Sequence, residues 1–60
     1  MSKEQLYKTA YSPIYGVFVS INHAHQDDDG RWIFTCSSNY GSDRFDRVLF
    51  RKEELERFCL

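Results

Sequence analysis

Sixty residues allow one domain with one small core, since a chain this short buries only about 60% of the surface its unfolded form exposes. A hydrophobic fraction of 42%, with five Phe, four Tyr and one Trp, favours a folded domain over disorder. Eight Lys and Arg against nine Asp and Glu leave a net charge of -1, so no strong field draws the chain onto nucleic acid or a membrane.

Residues 2–11 read as a short helix. Ser2 and Gln5 have capping-box spacing, and Leu6, Tyr7, Ala10 and Tyr11 make a narrow apolar stripe. Ser12-Pro13 ends it, because proline pushes its predecessor out of the helical region. Residues 1–13 thus form an N-terminal segment, helical or extended, ahead of a β-rich body over 14–60.

Tyr15 to Asn22 reads as a strand, with Val17, Val19 and Ile21 alternating against Phe18, Ser20 and Asn22. His23 to Gly30 is polar, and Asp27-Asp28-Asp29-Gly30 is a turn signal. Either Tyr11 to Tyr15 or His23 to Gln26 can add a short strand or extend one. Arg31 to Ser37 is the second strand, with Trp32, Phe34 and Cys36 sharing a face. Asn39, Gly41 and Ser42 mark another connection, and Arg44 to Arg51 forms a third strand whose buried face the pattern leaves open. Lys52 to Cys59 reads as one or two helical turns, with Leu55, Phe58 and Cys59 on one side. The expected core is Trp32, Phe34, Phe50 and Phe58 with Val17, Val19, Ile21, Val48 and Leu55. The fold class is mainly β: four or five short antiparallel strands curled into a small barrel, with a short N-terminal helix and a C-terminal helical turn.

Apolar runs such as Val17-Phe18-Val19 and Trp32-Ile33-Phe34 fall far short of the ~20 residues that span a bilayer. The N-terminus lacks the apolar stretch of a signal peptide, so a cytoplasmic location is expected. Cys36 and Cys59 lack the spacing of a metal or redox motif and read as small buried hydrophobes; a bridge between them is the lesser alternative.

Gly16-Val17 opening a strand, the Asp29-Gly30 turn, the aromatic strand at Trp32-Ile33-Phe34 and the run Phe50-Arg51-Lys52-Glu53-Glu54-Leu55 together resemble small SH3-like barrels of the KOW-like and Tudor-like kind. The resemblance covers residues 15 to 58, and the general cast is that of small bacterial or phage proteins. In such barrels a late strand runs into a short E-E-L turn that plugs the barrel. The resemblance implies a non-enzymatic binding module for a peptide, a partner domain or nucleic acid.

Chemistry-bearing groups are few. His23 and His25 point to one side of an extended segment, with Asp27, Asp28 and Asp29 following, but no second cluster completes a four-ligand zinc set. The plainer reading is a solvated loop, so no metal site and no cofactor is expected; a metal or redox role through His23, His25 and the cysteines is kept as an alternative. No nucleophile–base set and no glycine-rich phosphate loop is present, so no enzyme is expected.

The stretch Tyr40 to Arg47 places an aromatic on a loop before Arg44 and Arg47. Stacking by Tyr40 with phosphate contacts from the arginines would suit nucleic acid. Residues 43–57 nevertheless carry five basic and five acidic side chains, so the segment is neutral. Tyr7, Tyr11, Tyr15, Phe18, Tyr40 and Phe45 cannot all enter so small a core, and Tyr and Arg favour interface hot spots. The expected function is therefore protein binding, as an adaptor or modulator of a larger complex. The residues expected to carry it are Tyr15, Tyr40, Arg44, Phe45 and Arg47, with Asp27, Asp28 and Asp29 as an acidic patch. A homodimer burying Phe18 or Phe45 uses the same surface, and a nucleic-acid-binding barrel in a transcription or translation complex is the second reading.

Overall fold

In a computed structural model, which describes residues 3–38 and 44–60, the chain forms one antiparallel sheet of five strands. These are β1 (Thr9–Ser12), β2 (Val17–Gln26), β3 (Trp32–Ser38), β4 (Phe45–Arg51) and β5 (Glu56–Cys59), arranged in space as β4-β3-β2-β1-β5. β4 and β5 are the free edges, so the sheet is open and the expected closure into a barrel is not made by any ladder among the described residues.

The strand alternation read from the sequence holds for β2 and β3. Val19, Phe34 and Cys36 are buried, and Val17, Ile21 and Trp32 pack partly buried against them. Ala10, Phe50 and Leu55 complete the buried cluster, with Tyr7, Ala24, Phe45, Val48 and Phe58 around it. Of the expected core, Val17, Ile21, Trp32, Val48 and Phe58 therefore lie at its margin.

Three bulges keep these side chains inward. On β2, Ile21 faces Cys36 while His23 already faces Thr35, so Asn22 is an extra residue. Beyond it the inward parity changes, and Ala24 lies opposite buried Phe34. On β4, Val48 faces Cys36 and Phe45 faces Ser38, three residues against two. That extra residue lets Phe45, Val48 and Phe50 all turn inward, although simple alternation sets Phe45 against the other two. On β5, Glu56 and Cys59 face Tyr11 and Thr9, again with one residue too many.

Both helical expectations need correction. The N-terminal segment makes only a 3-10 turn at Lys3–Gln5 and then enters β1, which covers the end of the expected helix. So short a helix gains little by itself, whereas the extended form lets Ala10 and Ser12 become fully buried and bonds both edges of β1. At the other end, a 3-10 turn at Lys52–Glu54 follows β4, and Glu56–Cys59 is a strand. The Arg51 N–H donates to Glu54 Oε1 at 2.8 Å and the Leu55 N–H to the Lys52 carbonyl at 3.2 Å, closing the turn and dropping Leu55 into the core. The N-terminal segment is docked: Lys52 Nζ meets Glu4 Oε2 at 2.8 Å, the Lys8 N–H donates to the Cys59 carbonyl, and the Tyr7 ring lies 4.7 Å from that of Phe58.

Candidate interaction surface

The turn joining β1 to β2 is tight because Gly16 adopts a φ of 68° and donates its N–H to the Ser12 carbonyl at 2.7 Å. The Ser12 hydroxyl accepts the Tyr15 N–H at 3.3 Å, fixing the backbone from which Tyr15 projects. The Tyr15 ring then packs on Phe45 at 4.9 Å and edge-on to Phe50 at 5.7 Å. Phe50 is buried and Phe45 half-buried, but Tyr15 keeps 42% of its surface in solvent and its neighbour Ile14 keeps 63%. Tyr15 thus offers a ring fixed on one side by the core and open on the other, and Tyr is among the residue types enriched at interface hot spots.

Arg44 and Arg47 are exposed near Phe45, and among the described residues neither makes an ion pair. Tyr15, Arg44, Phe45 and Arg47 thus lie at one end of the sheet. Tyr40 lies outside the described residues.

Asp27, Asp28 and Asp29 belong to the other end. Their turn leads into Trp32, whereas Phe45 pairs with Ser38, about 20 Å away along β3 at the usual strand rise. Asp27 is occupied within the fold. Its Oδ1 accepts the N–H groups of Asp29 and Arg31, each at 2.9 Å, and its Oδ2 lies 3.2 Å from Arg51 Nη1. The bond from the Arg31 amide, with Arg51 and the Asp29 amide assisting, holds its carboxyl below the usual carboxylate range. Asp28 and Asp29 are exposed. The expected patch is therefore two surfaces, and Asp27 is a brace between β2, β3 and β4.

A second aromatic group lies on the outer face. Phe18, 49% exposed, meets the edge of Tyr11 at 5.1 Å, and the Arg57 guanidinium sits 5.9 Å from the Tyr11 ring centre. Phe18 was signalled by standing on the otherwise polar parity of β2. Tyr11 was marked only as one of the surplus aromatics and Arg57 not at all, because their meeting depends on β1 pairing with β5.

The metal and redox groups are divided by the sheet. Cys36 is buried on the inner side, where desolvation pushes its thiol up to about 11, and Cys59 is exposed; both are free thiols. The expectation that both are buried fails for Cys59, because it lies opposite Thr9 on the exposed side of β5. His23 and His25 stack on the outer side at 5.6 Å, and among the described residues no group of three or more His, Cys, Asp or Glu is placed to share an ion. A groove of about 260 Å³ runs between the N-terminal segment and β2, lined by Leu6, Tyr7, Lys8, Ile21, Asn22 and His23 among others. Among the described residues no helix is long and apolar enough to cross a membrane.

Comparison with protein-family models, curated proteins and solved structures finds no match to this chain.

Proposed function

We propose that this chain is a small SH3-like module that binds another protein, as an adaptor or modulator of a larger complex, and does no chemistry of its own. The SH3-like reading is supported by the strand–3-10 turn–strand passage from Phe45 to Cys59, where Lys52-Glu53-Glu54 delivers Leu55 into the core. On this reading the passage is the counterpart of the E-E-L turn that plugs such barrels. The binding reading rests on one observation: the half-exposed Tyr15 ring is held against Phe45 and buried Phe50 beside exposed Ile14. Buried rings beneath it limit the entropy lost when a partner covers it, and Arg44 and Arg47 orient that partner. The module acts by occlusion or recruitment.

The test compares the chain with a Tyr15→Ser/Arg44→Ala variant in affinity capture from nuclease-treated lysate. One stoichiometric protein, retained by the unsubstituted chain and lost from a variant with the same melting temperature, is expected. Equal retention by both would place the contact elsewhere, and capture that vanishes with nuclease would replace the protein partner by nucleic acid.

A further inference from the structure

The extra residue at Asn22 decides which way two histidines point. Ahead of it, Val19 and Ile21 turn toward the core; beyond it, Ala24 does. His23 and His25, two positions apart, therefore share the outer face. Their ring centres are 5.6 Å apart and their planes 23° from parallel, with Thr35 across from His23 and Ile33 across from His25. Nδ1 of His25 is buried and has no hydrogen-bond partner. Buried polar atoms in folded proteins are nearly always satisfied by protein, water or an ion. Two imidazoles side by side offer nitrogen ligands of the type that suits zinc, nickel and copper.

We propose that His23 and His25 together chelate one divalent transition-metal ion of borderline softness, Zn2+, Ni2+ or Cu2+, with water in its remaining positions. Nitrogens that share an ion lie about 2.0–2.1 Å from it, so the rings must turn from stacking toward a common point. Rotation of side chains on an outer face achieves this without moving the ladder. An ion between the rings gives the orphaned nitrogen a partner. Because no third His, Cys, Asp or Glu joins them among the described residues, the site is open and exchangeable, unlike a closed four-ligand structural zinc. It is separate from the Tyr15–Phe45 end and stands or falls independently of protein binding there.

The full chain without a tag, carrying Cys59→Ser so that the exposed thiol takes no part, is titrated with NiCl2 and with ZnCl2 in a calorimeter. One ion per chain is expected, with at least tenfold weaker binding after His23→Ala or His25→Ala. No binding, or undiminished binding after both substitutions, would overturn the site. A second readout uses the unsubstituted chain, so it does not depend on the variants folding. Substoichiometric Cu2+ should broaden the ring C–H resonances of both histidines, and sharp signals from either would refute chelation by the pair.

Discussion

Arg47 and Arg57 share a backbone conformation on opposite edges of the sheet, with φ of 57° and 54°. They are the only non-glycine residues with positive φ among those described, and each lies where its edge strand has one residue too many. Such bulges twist an exposed edge and interrupt the regular row of free N–H and C=O groups that a further strand would need. With both edges treated alike, contact through the side-chain faces is favoured over strand addition.

The left-handed conformation costs an ordinary residue about 1–2 kcal/mol, which glycine avoids. Arg47→Gly is expected to raise unfolding stability in urea by about 0.5–1 kcal/mol. Arg47→Val should lower it by at least that much. At position 57 the gain from glycine should be smaller, because the substitution also removes the guanidinium above Tyr11. Equal stability for glycine and valine at 47 would contradict the assigned backbone.

Leu55 and Leu49 lie six residues apart and differ completely in surroundings, at 5% and 61% exposure. Leu55→Ala removes a buried side chain of the core and should cost about 2–5 kcal/mol, a large part of the stability of so small a fold. Leu49→Ala should change stability by less than about 0.5 kcal/mol. Chemical denaturation of the two variants side by side measures the contrast.

Asp27 makes stability depend on pH. Its carboxyl is held below the ordinary value of 3.8 in the fold, chiefly by the Arg31 amide. A depressed folded value means that the stabilisation is fully present above the unfolded value and is lost as pH falls through the folded one. Melting temperature should therefore decline in acid below about pH 4 in the unsubstituted chain, and less steeply in Asp27→Asn. Glu4, lowered by the Lys52 ammonium, contributes in the same direction, so Asp27→Asn/Glu4→Gln should be flatter still.

The two thiols should differ in reactivity. Cys59 is exposed, and Cys36 is buried with its thiol pushed up to about 11. A thiol reagent at neutral pH should modify one cysteine per folded chain rapidly, and both after denaturation. Peptide mapping should place the first label on Cys59; rapid labelling of Cys36 would mean that β3 is not covered as described.

Several features were legible because they repeat locally. Val17, Val19 and Ile21 at period two, and Trp32, Phe34 and Cys36 likewise, mark β2 and β3 with their inner faces. Asp27 and Gly30 mark the turn between them, and there the structure adds the reason. Asp27 accepts two amides while Gly30 takes a φ of 81°. In the candidate site, Tyr15 and Phe45 stood out because too many aromatics competed for one core. That they touch was not legible, since their contact needs the β1–β2 turn to reach the start of β4.

Composition and periodicity thus determined the mainly β class, its two central strands, the acidic turn and most of the core. These follow from side-chain chemistry read over a few neighbouring residues. Tertiary structure alone decided that Thr9–Ser12 and Glu56–Cys59 are strands, because they pair with each other from opposite ends of the chain, although Thr9–Ser12 also pairs with its neighbour β2 across a tight turn. It also decided the three bulges, which set whether Phe45, His23 and His25 face the core or solvent. A single extra residue reverses strand parity, and only the register of the opposing strand reveals where that residue falls.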